Sequence, residues 1–399
     1  MRIVQAVFGV FHHFDLAREL ELRGHLKTVY STWPWARLKR EGLPQNKVET
    51  FPWIHTPEYL LARAGIDWPW ASDHLGYWNA LAFDRWTEKR LARQGAECDA
   101  LIAISGAGLT TGKRLQERGG VFICDRGSTH QRYQQQLITE EFRRWGVERA
   151  VSDERDTIRE ELIYAQADAI TVPSSAALRS FVEMGVSAEK LTRIPYGVRL
   201  DDFYPVANAA ADRFDVLFAG AAGLRKGVPY LLKAFAQVRH PHKRLRIAGS
   251  VLPDLKTLLP GLPKEHVEFV GPVSHIRLRE LMSTSHVLVL PSIEEGLALV
   301  QAQAMACGCP VICTTNTGGE DLFTDGTEGF ILPIRDIATL TERMQELADD
   351  PARQEIMRAA ALRRVQSIGG WTQYGDRWEQ LLQRLIANRS GQASPPPTK

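Results

Sequence analysis

Along most of the chain, short apolar runs alternate with stretches of helical periodicity. Residues 3–8, 26–30, 100–104, 121–124, 169–172 and 191–194 read as strands whose apolar character needs cover on both faces. Between them, residues 14–23, 110–118 and 176–184 read as helices. Leu16, Ala17 and Leu20 share one face of the first, and Gly24 stops it. The rhythm then restarts, with strands at 215–219, 244–248, 267–270, 287–290 and 310–313 and helices at 228–238 and 299–306. Alternation of this kind builds parallel sheets with helices on both faces, so two successive series predict an α/β protein with two such sheets. The boundary falls in the alanine-rich stretch 205–212. Ligands of parallel sheets bind beyond the carboxyl ends of the strands, which makes the cleft between the two sheets the predicted site. Residues 33–86 break the rhythm: Trp33, Trp35, Trp53, Trp68, Trp70, Trp78 and Trp86 crowd there, and the stretch reads as an irregular aromatic core.

A length of 399 residues agrees with two domains. The net charge of +2 argues against a dedicated nucleic-acid binder, which carries a strong basic excess. Cys98, Cys124, Cys307, Cys309 and Cys313 are odd in number and form no C-x-x-C pair, and no histidine near the last three completes a zinc set. They read as small buried apolar residues of a chain kept reduced. The first residues turn polar too soon for a signal peptide, and no run of 18 apolar residues occurs, so a cytoplasmic chain is expected. The proline-rich end, 390–399, is expected to be disordered.

The most informative segment is Pro291-Ser292-Ile293-Glu294-Glu295-Gly296-Leu297-Ala298-Leu299, continuing through Gln303-Ala304-Met305-Ala306 to Gly308 and Pro310. A strand, a glycine turn and a helix follow one another, so free N–H groups of the helix start face the cleft as an anion site. Glu295, just ahead of the helix, can accept hydrogen bonds from sugar hydroxyls. Gln303, eight residues on, is about two helical turns away and faces nearly the same way. A second segment passes through Gly220 and Gly223 to Arg225-Lys226-Gly227 and a further helix. One forked donor and one point charge after a glycine loop suit a diphosphate. Cations at a helix start are otherwise disfavoured. Residues 105–113 look like a phosphate loop, but G-x-x-x-x-G-K-[ST] needs glycine at Ala107 and Ser or Thr at Arg114, so no triphosphate site is assigned.

Together these segments resemble the donor site of retaining GT-B glycosyltransferases, specifically glycosyltransferase family 4 (glycosyl transferases group 1). The usual pattern is Pro-Ser-x-x-Glu-Gly-Phe-Gly-Leu, then Glu-Ala-Met-Ala-x-Gly-x-Pro-Val. The resemblance implies that Glu295 contacts the donor sugar; Glu294 beside it is a second candidate, read as solvated. Gly296, Leu297, Ala298 and Leu299 match the donor loop. Gln303 replaces the glutamate that holds the ribose hydroxyls, and it offers one acceptor oxygen instead of two. Arg225 and Lys226 are implied to balance the leaving diphosphate, on a loop opened by Gly220 and Gly223. Gly318 and Gly319, in Asn316-Thr317-Gly318-Gly319-Glu320-Asp321, let backbone N–H groups approach the donor. Ile194-Pro195-Tyr196-Gly197-Val198, running on to Phe203 and Pro205, is similar to the family's interdomain element.

In the first series, Gly9 matches the family's glycine loop after the first strand. His12 and His13 beside it stay open between structural and functional roles. Asp125 and His130, in Asp125-Arg126-Gly127-Ser128-Thr129-His130, follow a strand where relatives carry a catalytic-centre histidine. The fold implied is GT-B: two Rossmann-like domains, 1–205 and 206–372, facing across a cleft, with a last helix, 373–389, crossing back to the first. The reaction implied is retaining transfer from a UDP- or GDP-sugar to a glycan or lipid-linked acceptor, without metal or other cofactor. Trp33-Pro34-Trp35-Ala36-Arg37-Leu38-Lys39-Arg40, aromatic beside basic, is the segment for a peripheral contact at the inner membrane face. A nucleotide-sugar epimerase of the same fold and an inactive scaffold subunit, to which Gln303 points, remain as alternatives.

Overall fold

The computed structural model describes residues 1–63, 69–93, 98–148, 153–199 and 201–392. Two parallel sheets organise them. The first contains β1 (Ile3–Val7), β2 (Leu26–Ser31), β3 (Val48–Thr50), β4 (Ala100–Ile104), β5 (Val121–Asp125), β6 (Ala169–Val172) and β7 (Leu191–Arg193), in the order β3-β2-β1-β4-β5-β6-β7. The second contains β8 (Phe214–Ala219), β9 (Lys243–Ala248), β10 (Val267–Gly271), β11 (Val287–Leu290), β12 (Val311–Thr314) and β13 (Gly329–Leu332), in the order β10-β9-β8-β11-β12-β13. In each sheet the order reverses once, between β1 and β4 and between β8 and β11. At such a reversal neighbouring loops leave to opposite faces and open a crevice at the carboxyl ends of the strands.

The central strands of each sheet are largely apolar because both faces are buried. In β1, Ile3 and Val7 join one core cluster and Val4 and Ala6 the other; in β5, Val121 and Ile123 alternate with Phe122 and Cys124 in the same way. The first of these clusters runs on without a break into the second sheet through Ile194, Tyr196, Val198 and Phe203. The last helix, Trp371–Gln392, closes the arrangement by packing on helix His12–Leu22, with Tyr374 and Trp378 fully buried. Arg23 fastens it further, with contacts to Asp376 at 2.6 Å and to the Thr372 carbonyl at 2.9 Å. Gly197 crosses the chain at residues 370–371, where a Cβ would lie 2.5 Å from the Gly370 carbonyl carbon.

The predicted strands and helices recur with ends displaced by a residue or two. Residues 33–86 are more regular than their composition implies: much of this stretch belongs to the helix Pro69–Arg93. Its buried stripe mixes Ala80, Phe83 and Leu91 with Asn79, Asp84 and Thr87, which hides the apolar period. Asp84 is buried because its carboxylate accepts from the backbone N–H of Thr110 (2.8 Å) and Thr111 (3.1 Å) and pairs with Arg159 at 2.7 Å. It thereby fills the helix start of the phosphate-loop look-alike. All five cysteines are free and buried. The last helix runs to Gln392, so the expected disordered tail begins too early at residue 390; residues 393–399 lie outside the described residues.

Candidate active site

The site is built from three loops at the carboxyl end of the second sheet. The loop after β8 meets the loop after β11 backbone to backbone: a Cβ at Gly227 would lie 1.9 Å from the Pro291 carbonyl oxygen, and Gly227 has φ +67°. Only glycine fits there. The Ile293 N–H donates to the Arg225 carbonyl (2.9 Å), and the Glu295 N–H to that of Asn316 (3.0 Å). Asn316 returns a side-chain bond to the Ile293 carbonyl at 2.9 Å. The Ala298 N–H reaches the Thr317 carbonyl at 3.2 Å. These bonds fix residues 223–227, 291–298 and 316–319 as one cradle.

Four charges meet in it. Arg225 Nε lies 2.9 Å from Glu294 Oε2, and its guanidinium also reaches Glu295 at 3.7 Å. Lys226 Nζ pairs with Glu295 Oε1, which also accepts from the Ser292 hydroxyl at 3.0 Å. Leu299 opens the helix Leu299–Ala306; with Val300 and Gln303 it forms a half-exposed stripe, while Gln301 is fully buried against the Thr317 carbonyl. Gly318 stands against Leu297 and Ser174, Gly319 against Cys313, Gly223 against Asp254 and Leu252. Gly220 turns the chain at the end of β8 with φ +146°.

Glu294 is not solvated as expected. It is fully buried, because the loop after β5 of the first sheet covers it. The Ser128 and Thr129 hydroxyls donate to its Oε1 at 2.7 and 2.6 Å, and the Gln134 amide donates to Oε2 at 2.8 Å. Burial pushes this carboxyl up, but Arg225 and the three donors outweigh it and hold it at about 2. Glu294 is therefore an ionised clasp between the two sheets. The clasp continues beside it. A Cβ at Gly296 would lie 2.0 Å from the Gly127 carbonyl oxygen, and the Ser174 hydroxyl donates to the Gly296 carbonyl. Asp321 accepts from the Ser175 N–H (2.6 Å) and hydroxyl (2.8 Å). Ser128, Thr129, Gln134 and Ser174 were missed in the sequence. Their one signal is that they follow the ends of β5 and β6.

The first-sheet candidates divide. Asp125, at the end of β5, is buried with Oδ2 at 2.9 Å from His12 Nε2 and 3.1 Å from His13 Nε2, while Oδ1 accepts from the Thr171 hydroxyl at 2.7 Å. His130 does not join it. It caps the helix Gln131–Arg144, accepting the Arg132 N–H at 3.2 Å, with its ring against Tyr164 and Phe181. Burial lowers it to about 4, so it is a neutral cap packed against Tyr164 and Phe181. Gly9, with φ +69°, donates its N–H to Thr32 Oγ1 at 3.1 Å and lies under Trp33. Trp33 itself is buried beneath Arg37, His55 and Tyr59, which removes it from any exposed aromatic face. Among the described residues no helix is long and apolar enough to cross a membrane.

Residues 202–364, which hold the whole cradle, match the family model described as "Glycosyl transferases group 1". The chain is 28% identical over 251 residues to D-inositol 3-phosphate glycosyltransferase 1 of Catenulispora acidiphila, covering 57% of this chain and 58% of that protein. It is also 28% identical over 243 residues to the GDP-mannose-dependent monoacylated alpha-(1-6)-phosphatidylinositol monomannoside mannosyltransferase of Corynebacterium glutamicum, covering 55% and 63%. The chain thus spans about three-fifths of the length of these curated relatives. Over the whole fold, it superposes on sucrose-phosphate synthase from Thermosynechococcus elongatus with a TM-score of 0.73 at 24% identity, covering 97% of this chain and 100% of that one. It superposes on Anabaena HepE in complex with UDP with a TM-score of 0.69 at 16% identity, covering 96% and 100%. The chain has the GT-B architecture, and its residues 202–364 match the glycosyl transferases group 1 model.

Proposed function

We propose that this chain is a glycosyltransferase that moves a sugar from a nucleoside diphosphate donor, UDP- or GDP-linked, to a hydroxyl of a glycan or glycolipid acceptor, with retention at the anomeric carbon and without metal. The observation that carries the reading is the pairing of Arg225 and Lys226 with Glu294 and Glu295 at the strand-order reversal between β8 and β11. Two cations held by carboxylates on rigid loops can turn to an incoming diphosphate and oppose the charge that develops as it leaves. Glu295, released from Lys226, then has both oxygens for sugar hydroxyls. Inositol phosphates and phosphatidylinositol glycans are the acceptor chemistry named for the curated relatives, and they are the first acceptors to try.

The test is thermal shift with UDP, GDP, ADP and CMP in EDTA, followed by product analysis with the matching sugar nucleotides and inositol 3-phosphate. A binder raises the melting temperature by mass action. A shift with one diphosphate and transfer of its sugar supports the reading, and an EDTA-resistant rate supports metal independence. Sugar release without transfer to any acceptor favours the epimerase alternative. No shift with any nucleotide removes the enzyme reading, and Gln303 then marks a scaffold that has lost its donor.

A further inference from the structure

The second sheet carries a cavity at the end away from the cradle. Its volume is about 490 Å³, within the roughly 300–1,000 Å³ usual for small-molecule sites. It lies at the amino ends of β8, β11 and β12, beside Phe214, His286 and Pro310. One wall is the connection between the sheets, from Asn208 to Arg213. Another is the helix Pro351–Ile368, which leads into the return crossing at residues 369–371. Both segments that join the sheets therefore border this cavity. His286 fixes the first of them: its Nδ1 accepts the Asp215 N–H at 2.9 Å, and the ring also bonds to the backbone of Ala210.

The charged groups that line the cavity are mostly donors in want of an acceptor. Arg358, largely buried, lies against Gly308 just past the helix Leu299–Ala306, yet it makes no hydrogen bond with any described residue. Its ion pair with the exposed Glu355 is 3.8 Å long, beyond hydrogen-bond reach. Arg213 reaches Asp212 at 3.4 Å, and both are exposed, so that pair holds it weakly. His240 Nδ1 accepts the His242 N–H at 3.1 Å, which leaves the ring proton on Nε2, where no described residue accepts it. Gln354 donates its amide N–H to the His286 carbonyl at 3.0 Å and keeps its own oxygen as an acceptor. Two guanidiniums and one imidazole N–H match a group that only accepts. A phosphate monoester has an oxygen for each of the three, whereas a carboxylate has two.

We infer that this cavity binds a small phosphate monoester, with its phosphate on Arg213, Arg358 and His240 and a hydroxyl of the ester on the Gln354 oxygen. Phe214 and Pro310 give the rest of the molecule an apolar surface. Such an occupant ties the outgoing connection, through Arg213, to the returning helix, through Arg358. It therefore bears on how the two sheets open and close, from the end of the second sheet opposite the cradle.

The experiment is calorimetry of the full chain near neutral pH and at constant ionic strength, with glucose 1-phosphate, inorganic phosphate and glucose. Glucose 1-phosphate should bind more tightly than inorganic phosphate, and glucose should give no heat. Arg358→Gln should weaken binding about tenfold, the loss of one charge-assisted bond, while Lys226→Ala in the cradle leaves it unchanged. If Arg358→Gln does not fold, Arg213→Gln, on the exposed connection, carries the same expectation. Amide exchange across residues 206–213 should slow when glucose 1-phosphate is bound. No heat with either phosphate compound overturns the inference. Binding lost in Lys226→Ala and kept in the arginine variants overturns it by placing the anion in the cradle. Equal affinity for inorganic phosphate overturns the ester in favour of a simple anion site, and binding without slower exchange at 206–213 overturns the link to the connection.

Discussion

The two sheets present their chemistry at matching places, the carboxyl ends of strands near a reversal of order, yet they do so by opposite means. After β8 and β11 the cations stand on loops: the Arg225 side chain is 40% exposed and Lys226 21% exposed, each paired with a carboxylate that is itself buried. After β1 and β5 the groups are sealed: His12 and Asp125 are 9% and 5% exposed, and His13 is not exposed at all. A partly exposed cation can turn from its carboxylate to water or an arriving anion, whereas a pair sealed on both sides that loses a partner is left uncompensated. The first arrangement suits a ligand that arrives and departs with its charge. The second keeps its rings and carboxylate in one fixed geometry.

This contrast can be broken from either side. The largest effect is expected for Lys226→Ala: donor turnover should fall about 10²–10³-fold, the usual loss when one charge-stabilising donor is removed, while the melting temperature stays near that of the wild type. A matching loss of stability would mean that the pair with Glu295 is structural.

Glu294→Gln should act next most strongly, on closure more than chemistry. Its folded value of about 2 lies below the ordinary glutamate value of 4.5, so its contribution is complete above pH 4.5 and is lost as pH falls toward 2. That shift corresponds to about 3 kcal/mol. Melting temperature followed across that window should therefore fall less steeply in the variant than in the wild type. Parallel curves would remove Glu294 from the clasp.

Gly296→Ala should cost on the order of tenfold in turnover, since its Cβ meets the Gly127 carbonyl and the two loops must separate. Small-angle scattering should record a larger radius of gyration, and an unchanged radius would show that the seam yields. Gln303→Glu is the gentlest test. A second carboxylate oxygen for the ribose diol should tighten UDP or GDP binding about fivefold by calorimetry, the gain of a charge-assisted bond over a neutral one. Weaker binding would mean that this half-exposed position meets something other than the ribose.

How much could be read in advance follows the same division. The cradle was legible because its parts are consecutive: Gly220 to Gly227 form one loop, and Pro291 to Leu299 another, so spacing along the chain reports spacing in space. The neighbours of Glu294 were not, because Ser128, Thr129 and Gln134 lie more than 150 residues away in sequence. A pair of adjacent glutamates gives no sign of which one the other sheet will bury. The surroundings of His130 were hidden for a related reason. A histidine after a strand reads alike whether its ring turns to the cleft or caps the following helix, and only packing against Tyr164 and Phe181 turns it inward.

From the sequence alone, then, came the two parallel sheets and the cradle of cations and carboxylates. Both depend on local period and on short-range spacing, which the order of residues carries directly. The tertiary structure alone decided which glutamate is the clasp, that Asp125 stands behind His12 across 113 residues, and that Gly127 and Gly296 meet. The clasp and the glycine contact join the two sheets, and the Asp125–His12 pair joins loops of one sheet; each depends on how distant segments come together, and no periodicity within either sheet encodes it.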